Sequence, residues 1–319
     1  MFWSAHTRLR KKETCLMNFK EISIADKPEF DKFVYQKNYI TCELAFVNLY
    51  CMRKKYGTQI FIDDFLYIRQ TTKALPNAFH YFVPLGEGDI KKAIERIEND
   101  AGEHGKDFMF WGVTETQKEM IEAIYPGRYE FSTSRDWCEY IYLSERLRTL
   151  GGSDLKKRRN NLNLFLNKYG DKYQFVPLKK ETLPKAFDYQ HRWLDEHVKN
   201  GSDSKALYQE NGIIEDAFEN WDALGLQGGL VLIDGEILGY TYGSRTYQNT
   251  FDVLVEKADP TKNGIYQAIN RDFALFACSD VTYINREEDL GVEGLRVSKM
   301  GYKPEMLFAK YEGWLSSNS

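Results

Sequence analysis

The sequence predicts an α/β (α+β) protein in which two successive domains each hold a mixed, mostly antiparallel sheet flanked by helices. The chain of 319 residues is long enough for two domains of ordinary size. Its hydrophobic residues, 43% of the total, are sufficient for a sizeable core. Both halves repeat one order of predicted elements: helices, strands, a loop with a helix, and then a strand, a helix and a strand. This repetition predicts a duplicated architecture.

The predicted domains divide the chain near its middle. We expect residues 17–150 to form the first domain, residues 173–319 to form the second, and residues 151–172 to form a basic helix that connects them. Residues 1–16 carry several cations but lack the apolar core of a signal peptide. They therefore predict a disordered leader, or a chain that starts at Met17 and not at Met1.

The first domain begins with helical spacing of apolar residues over 27–57, where Gly57 is a natural stop. Thr114, followed by Gln117 three residues later, forms a capping box and predicts the start of a helix. Apolar and aromatic runs predict the strands, and helical spacing predicts two further helices. The strands are expected at 59–61, 65–68, 79–83, 108–113 and 137–143, and the helices at 90–101 and 114–124.

The connecting helix carries four consecutive cations after a predicted N-cap at Ser153. The functional interpretation is a surface that binds phosphates of tRNA or another polyanion. The alternative is a solvated helix face, which is the usual fate of a charge run. The cations concerned are Lys156, Lys157, Arg158 and Arg159.

In the second domain, Asp234-Gly235 between two apolar runs is a strong signal for a two-residue hairpin. The other elements follow from apolar periodicity. Strands are expected at 173–178, 230–233, 237–244, 250–256, 281–284 and 306–311, and helices at 181–197, 213–224, 265–276 and 294–300. In the last part of this domain we expect Leu290, Leu295 and Met300 in the core.

Composition excludes several classes of protein. The net charge of −4 gives no global attraction to nucleic acid or anionic lipid, so a polyanion would need a local basic patch. The five cysteines form no C-x-x-C pair, which favours reduced thiols and a cytoplasmic location.

His191 and His197 point to different faces of one predicted helix, and we expect no metal site. No apolar run reaches the ~20 residues that cross a bilayer.

The segment 281–304 is unusually rich in ionisable and hydrogen-bonding side chains. A short apolar strand in it runs into a polar loop with Gly291 and Gly294, and then into a short helix. Loops that follow strands commonly carry binding residues. The segment is therefore the predicted wall of a pocket.

The order of elements resembles the fold of the GNAT acyltransferase superfamily. That superfamily binds the pyrophosphate of coenzyme A at a glycine-containing loop before a helix. The resemblance implies phosphate contacts from Lys262, Asn263 and Gly264, with a coenzyme A thioester as the possible cofactor. Tyr266 stands where small residues usually let the phosphate approach, and its bulk argues against coenzyme A.

A closer resemblance covers nearly the whole chain beyond Met17. Residues 156–165 (KKRRNNLNLF) and 284–304 (INREEDLGVEGLRVSKMGYKP) resemble two signatures of the soluble family related to the C-terminal domain of phosphatidylglycerol lysyltransferases. That family has tandem GNAT folds and is similar to the Fem aminoacyltransferases. The resemblance implies aminoacyl transfer from aminoacyl-tRNA to an amine or hydroxyl acceptor, which could be a small molecule or a lipid headgroup. Because no apolar run here is long enough to cross a bilayer, we expect this chain to lack the membrane-spanning half of the lysyltransferases.

Acyl transfer requires a base for the acceptor and an acid for the leaving group. Asp252 and Glu256 are expected on one face of a strand, so either could act as base; the alternative is a pair of solvated carboxylates. Tyr302 lies where the superfamily often has its general acid, and the alternative is a packing aromatic.

The polar loop supplies the candidate substrate-binding residues. Arginines can grip phosphate or carboxylate groups, and an aspartate can bind an amino group. The alternative is a local arginine and aspartate network that pins the loop. The candidates are Asn285, Arg286, Asp289, Arg296, Lys299 and Lys303.

Two other functions compete with aminoacyl transfer. One is N-acetyl transfer from acetyl-CoA, which the fold favours and Tyr266 disfavours. The other is a non-catalytic protein that binds a ligand or RNA, because one fold hosts many functions.

Overall fold

The computed structural model describes residues 17–37, 39–201 and 203–317. The expected leader at residues 1–16 lies outside these ranges. Within them the chain forms eleven α-helices and fifteen strands that assemble into two sheets. None of these helices is long and apolar enough to cross a bilayer.

The first half of the chain contributes eight strands and six helices. In chain order they are β1 (Lys20–Glu21), α1 (Lys27–Val34), α2 (Phe46–Cys51), α3 (Arg53–Tyr56), β2 (Gln59–Ile62), β3 (Phe65–Gln70), β4 (Ala78–Tyr81), β5 (Leu85–Gly86), α4 (Ile90–Glu103), β6 (Asp107–Val113), α5 (Glu115–Ile124), β7 (Tyr129–Thr133), β8 (Glu139–Leu143) and α6 (Ser144–Thr149).

The second half contributes seven strands and five helices. They are α7 (Lys156–Tyr169), β9 (Tyr173–Pro177), α8 (Leu183–Lys199), α9 (Ser204–Glu219), β10 (Leu226–Ile233), β11 (Glu236–Tyr247), β12 (Thr250–Ala258), α10 (Ile265–Ala277), β13 (Tyr283–Asn285), α11 (Glu293–Met300), β14 (Met306–Phe308) and β15 (Tyr311–Leu315).

The helical segment expected over residues 27–57 forms three short helices, with a turn between α1 and α2. In this turn the hydroxyl of Thr41 and the backbone N–H of Cys42 donate to the buried carboxylate of Glu139, at 2.6 and 2.9 Å. These hydrogen bonds to Glu139, which is far away in the sequence, hold the turn between α1 and α2 in a non-helical conformation. The expected stop at Gly57 is confirmed, since this residue ends α3 with φ of 54°.

Signals that depend on neighbouring residues are confirmed. Asp234 and Gly235 join β10 and β11 with φ of 52° and 82°, as a two-residue hairpin requires. Thr114 caps α5 in a full capping box with Gln117. Several strands differ from expectation. The strands β1, β5 and β7 were not predicted, and the single strand expected at 306–311 is divided into β14 and β15, which lie in different sheets.

The two sheets each contain one parallel pair in an otherwise antiparallel arrangement. The order of the first sheet is β1-β2-β3-β4-β6-β15-β7, with β5 beside β3, and the order of the second is β14-β8-β13-β12-β11-β10-β9. The parallel pairs are β4 with β6 and β12 with β13. Because β8 lies in the second sheet and β15 in the first, each half of the chain gives one strand to the sheet of the other.

The halves also share an apolar core. One cluster contains Phe30 and Phe46 from the first half together with Tyr240 and Tyr242 of β11. The basic helix α7 packs Leu162 and Phe165 into a second cluster, which covers the other face of the second sheet with α10. The division into domains at residue 150 stays a prediction. The two halves share strands in both sheets and an apolar core.

The short helix α11 contradicts one expectation about the core. Leu290, Leu295 and Met300 were expected to be buried, but their exposed fractions are 68%, 46% and 40%. Polar contacts hold this helix in place, as described below.

Strand β12 places the carboxylates of its two candidate bases on opposite faces of the sheet. A bulge interrupts its pairing with β11, because Val253 faces Gly243 while Val255 faces the preceding residue, Tyr242. The extra residue reverses the alternation of side chains. The expectation that Asp252 and Glu256 share a face is therefore wrong.

Candidate functional site

Strands β12 and β13 pair over only three residues, from Thr250–Tyr283 to Asp252–Asn285, and then separate. The loop after β13 enters the space between the halves. Glu287 and Leu290 in this loop have φ of 53° and 51°, which residues other than glycine rarely adopt. Such backbone strain is found where a side chain is aimed at a functional site.

A buried ammonium group lies at the centre of this region. Lys310 is 4% exposed, and its Nζ lies 2.7 Å from Glu43 and 3.1 Å from Glu139, and also contacts Glu288. Burial opposes the charge of this lysine, but the carboxylates of Glu43 and Glu139 outweigh burial and raise its pKa. The lysine neutralises part of the acidic cluster.

A second pair of carboxyl groups forms no ion pair with any lysine or arginine that the structure describes. The Nδ2 of Asn48 lies 3.1 Å from Asp252 Oδ2 and 3.3 Å from Glu287 Oε1. Burial, followed by the neighbouring Glu288, raises the pKa of Glu287 to about 8. Burial and the charge of Glu287 raise the pKa of Asp252 well above its usual range. The Oδ1 of Asp252 is buried and accepts no hydrogen bond from any residue that the structure describes.

A cavity of about 310 Å³ opens onto these groups. It lies between the halves, and its wall combines acids with aromatic rings. The lining includes Glu43, Glu287, Glu288, Lys310, Trp111 and Trp137. Five carboxyl groups (Glu43, Glu139, Asp252, Glu287 and Glu288) lie around the buried ammonium of Lys310, so acids outnumber cations here even with Lys55, which also lines the cavity. A cationic ligand suits this cavity.

The same cluster bears on metal binding. One ligand atom from each of Cys42, Asp252 and Glu287 lies within 4.8 Å of the others, as is also true of Cys42, Glu139 and Glu288. Burial raises the pKa of the Cys42 thiol well above its usual range, and a protonated thiol is a poor metal ligand. The absence of a metal site therefore stays a prediction.

Two of the predicted binding residues fix the loop. Asp289 is buried and accepts from Arg296 Nη2 at 2.7 Å, from Tyr140, and from the backbone N–H of Gly291 at 2.9 Å. The guanidinium of Arg296 holds the pKa of Asp289 well below its usual range. Arg296 also pairs with Asp136 at 2.6 Å. These contacts match the alternative of a network that pins the loop.

Asn285 and Lys299 are likewise engaged with the protein itself. The Nδ2 of buried Asn285 donates to the carbonyl oxygen of Ile40 at 2.9 Å and to Glu139. The Nζ of Lys299 donates to the carbonyl oxygens of Arg286, at 2.6 Å, and Glu288. Burial lowers the pKa of Lys299. Both residues shape the loop from behind the cavity.

The other candidate catalytic residues lie together on the opposite side of β12. Arg286 pairs with Glu256 at 3.0 Å, and its guanidinium lies 5.1 Å from the ring of Tyr302. Burial raises the pKa of Tyr302 to about 12, and its hydroxyl donates to the carbonyl oxygen of Tyr266 at 3.3 Å. None of these side chains is among the residues that line the 310 Å³ cavity.

The basic helix divides its cations between structure and solvent. Arg158 donates to the carbonyl oxygens of Ser298 and Gly301 at the end of α11, at 3.1 and 3.2 Å. Arg159 donates to the carbonyl oxygens of Leu150 and Gly152. The exposed predicted cations are Lys156, Lys157 and Lys303.

The predicted pyrophosphate loop is occupied by the protein itself. Gly264 has φ of 94°, and a Cβ atom there would lie 2.6 Å from both the Asn161 carbonyl oxygen and Phe165 Cβ, so α7 covers it. The hydroxyl of Tyr266 donates to the carbonyl oxygen of Ala258 at 3.0 Å and thereby covers the end of β12. Of the other two loop residues, Lys262 lies 3.8 Å from Asp259 and Asn263 is exposed.

Several residues of the cavity escaped sequence reasoning. Glu287 and Glu288 lie within the polar segment 281–304, which could have identified them as candidates. The others are far apart in the chain and carry no local signal. These are Glu43, Asn48, Trp111, Glu139 and Lys310.

Comparison with known proteins gives the family. The sequence profile described as "Phosphatidylglycerol lysyltransferase, C-terminal" matches residues 38–312. A conserved protein of unknown function from Bacteroides thetaiotaomicron has a TM-score of 0.88 and 34% identity, over 94% of this chain and 100% of that one.

Two more distant structures share the fold. L-PGS from Bacillus licheniformis has a TM-score of 0.57 and 16% identity, over 85% of this chain and 92% of that one. FemX has a TM-score of 0.58 and 10% identity, over 95% of this chain and 98% of that one. The expected mixed, mostly antiparallel fold and its likeness to L-PGS and FemX are thereby confirmed. The chain belongs to the phosphatidylglycerol lysyltransferase C-terminal family.

Proposed function

We propose that the chain transfers an aminoacyl group from aminoacyl-tRNA to an amine or hydroxyl acceptor, which is a small molecule or a lipid headgroup. The observation that carries the proposal is the excess of buried and half-buried carboxyl groups around the 310 Å³ cavity between the halves. Buried carboxylates are unfavourable unless they are paired with a cation or protonated. An aminoacyl ester brings such a cation, its ammonium group.

The cavity can orient that substrate. Glu287 and Glu43 lie on the wall where an ammonium group would be stabilised, and Trp111 and Trp137 provide apolar surface for the remainder of an aminoacyl group. Cations also bind favourably near aromatic faces. The geometry favours a small cationic acyl group over an uncharged acetyl group.

The reaction needs one proton to move from the acceptor to the leaving group. The acceptor nitrogen or oxygen attacks the ester carbonyl carbon, the new C–N or C–O bond forms, and the bond to the ribose oxygen breaks. Glu287 has a pKa of about 8 and so exchanges protons readily near neutral pH. In the proposal this carboxyl group takes the proton of the acceptor and returns it to the ribose oxygen.

An adjoining groove suits the RNA end of the donor. A second cavity of about 570 Å³ shares Lys55 and Tyr56 with the first, and Lys54, Lys73 and Tyr208 also line it. Tyr208 is 58% exposed. Lysines beside exposed aromatic rings are the usual means of holding single-stranded nucleic acid. The groove would lead the acylated end of tRNA to the acidic cavity.

The predicted coenzyme A loop gives less support to acetyl transfer. A pyrophosphate group needs free backbone amides and open space at a helix N-terminus. Here α7 covers Gly264, and the side chain of Tyr266 lies against β12.

The test is incubation of the full chain with aminoacyl-tRNAs that carry radiolabelled amino acids, together with lipid extracts and small amine acceptors. We expect label to leave tRNA and appear in the acceptor, and Glu287→Gln to lower the rate by about 100-fold, since general acid and base catalysis contributes about that much. The matched control is Glu236→Gln, at an exposed hairpin residue, which should leave the rate unchanged.

Two results would contradict the proposal. One is no transfer from any aminoacyl-tRNA. The other is transfer from acetyl-CoA at a rate that Glu287→Gln does not alter.

A further inference from the structure

Helix α11 is amphipathic in the reverse sense: its polar side chains face the protein and its apolar side chains face solvent. Arg296 reaches inward to Asp289, and Lys299 donates to loop carbonyl oxygens. No residue of this helix is buried. The segment that ends with α11 exposes five large apolar side chains: Leu290 by 68%, Val292 by 52%, Leu295 by 46%, Val297 by 64% and Met300 by 40%.

This set of five side chains, hereafter the α11 surface, requires an explanation beyond stability. Five large apolar side chains exposed within eleven residues are unusual for a globular protein, and exposed apolar surface of this kind marks binding to a partner or a membrane. Polar contacts already hold the helix in place, so its apolar residues contribute little to folding. They remain free to bind something else.

Exposed lysines border the α11 surface at the C-terminal end of the helix. Arg158 joins the first turn of α7 to the last turn of α11 through Ser298 and Gly301. The neighbouring Lys156 and Lys157 are exposed, and so is Lys303, just beyond the helix. The exposed acids of the segment are Glu293, in the first turn, and Glu305. Three lysines thus exceed two acids beside the apolar side chains.

We propose that the α11 surface docks on an anionic phospholipid bilayer, with its apolar side chains in the interface and the lysines at the phosphate groups. A short helix with exposed apolar residues and basic neighbours binds in the plane of the membrane. Leu290 also lines the acidic cavity, so docking would bring the cavity mouth next to the headgroups. The proposal goes beyond the proposed reaction and does not depend on it.

A bilayer explains this surface better than a second copy of the chain does. A symmetric dimer through α11 would bring the lysines of both copies to one interface. Like charges facing each other across an interface are unfavourable. An anionic lipid surface instead complements the lysines, although the chain as a whole has a net charge of −4.

The experiment is co-sedimentation of the full chain with vesicles of phosphatidylcholine alone or mixed with phosphatidylglycerol. We expect binding to the anionic vesicles, and a loss of about tenfold in affinity for Val297→Asp and for Met300→Asp, which remove apolar contact and add negative charge. Changing both Lys157 and Lys303 to glutamine should weaken binding to anionic vesicles by about fivefold per lysine. All these proteins share residues 1–16, so the differences report on the α11 surface.

The matched control is Leu75→Asp, an apolar residue of similar exposure, 47%, in the loop between β3 and β4. It should bind vesicles like the unchanged protein. Equal binding by Val297→Asp and by Leu75→Asp would overturn the proposal, as would no binding to anionic vesicles. So would a dimer of the unchanged protein that Val297→Asp dissociates with no effect on vesicle binding.

Measurements of vesicle binding and of aminoacyl transfer test the docking and the proposed reaction separately. Val297→Asp should leave transfer to a water-soluble amine unchanged, since the side chain is not part of the cavity wall. Vesicle binding without any transfer would refute the reaction alone. Transfer without vesicle binding would refute the docking alone.

Discussion

Glu287 combines two unfavourable features that a purely structural residue would lack. Its backbone is in the left-handed region, and its half-buried carboxyl group lies beside Asp252 and Glu288. Asn48 holds the carboxyl groups of Glu287 and Asp252 through one amide nitrogen. Strain and buried acidity at one residue are expected where binding or catalysis has been favoured over stability.

Glu287 should make the stability of the protein depend on pH. Its pKa rises from 4.5 to about 8 on folding, so between these values the folded protein holds a proton that the unfolded chain has released. Stability therefore falls as pH rises through this window. Glu287→Gln removes this titration, so its free energy of unfolding should fall less between about pH 5 and about pH 8. Urea unfolding at both pH values measures the difference.

A matched Glu236→Gln variant should keep the full pH dependence, because that glutamate is exposed. Equal pH dependence in Glu287→Gln and in the unchanged protein would show that Glu287 ionises normally.

Asp289 shows how one residue type can support two interpretations of a sequence. From the sequence, Asp289 follows two glutamates in a polar loop, which is consistent with a residue that binds an amino group of the substrate. In the structure its oxygens are occupied by Arg296, Tyr140 and the N–H of Gly291. Residue types and spacing identified the loop, but only the partners distinguish a binding residue from one that holds the loop.

Replacing Asp289 should destabilise the protein. Asp289→Ala leaves the partly exposed guanidinium of Arg296 and the buried hydroxyl of Tyr140 without their shared acceptor. A buried hydroxyl without a hydrogen-bond partner lowers stability by about 1–3 kcal/mol. The exposed pair of Asp280 with Arg245 gives the control, since Asp280→Ala should lower stability by less than about 1 kcal/mol. Thermal and urea unfolding of both variants provide the comparison. Equal losses would mean that the loop is held by other contacts.

At the scale of elements, the sequence predicted what neighbouring residues determine. The hairpin at Asp234-Gly235 and the capping box at Thr114 each depend on a few adjacent residues, and both are confirmed. The bulge in β12 depends on pairing with β11, so a regular alternation over 252–256 could not anticipate it. The predicted burial of the apolar residues of α11 failed for a related reason, since helical spacing does not reveal which face of a helix packs against the protein.

Two surfaces are candidates for the polyanion site: the basic helix α7, and the groove lined by Lys54, Lys55 and Lys73. Arg158 and Arg159 of α7 bind backbone carbonyl oxygens, whereas Lys55 and Lys73 have no ion pair within the described ranges and lie beside the acidic cavity. Lys55 lies 4.7 Å from the ring of Tyr56. The groove therefore has the better-placed free cations.

Charge reversal separates the two sites. A Lys55→Glu, Lys73→Glu variant should bind tRNA at least about tenfold more weakly, and its slope of log affinity against log salt should be shallower by about 1 per lysine. A matched Lys156→Glu, Lys157→Glu variant changes the same charge on α7 and should bind tRNA normally. Filter binding at several salt concentrations measures both. The reverse pattern would assign the polyanion site to α7.

At the scale of the whole molecule, the halves exchange strands. β15 lies between β6 and β7 in the first sheet, and β8 lies between β14 and β13 in the second. The exchange brings Lys310, next to β15, against Glu139 at the start of β8. The repeated order of elements predicted two sheets, but pairing across about half the chain leaves no local signal, and so the acidic cluster that depends on it was not foreseen.

The exchange predicts that the halves fold only together. A fragment of residues 17–150 lacks β15 and exposes the edges of β6 and β7, while residues 151–319 lack β8 and leave β13 and β14 apart. Unpaired edges of this kind favour aggregation. Each fragment alone should therefore be insoluble or unfolded by circular dichroism, and co-expression should give a soluble complex. As a control, a full chain cut by a protease at a site inserted between Gly151 and Gly152 should stay associated. Cooperative unfolding of isolated 17–150 would instead establish the first domain as an independent unit, with β15 an accessory strand.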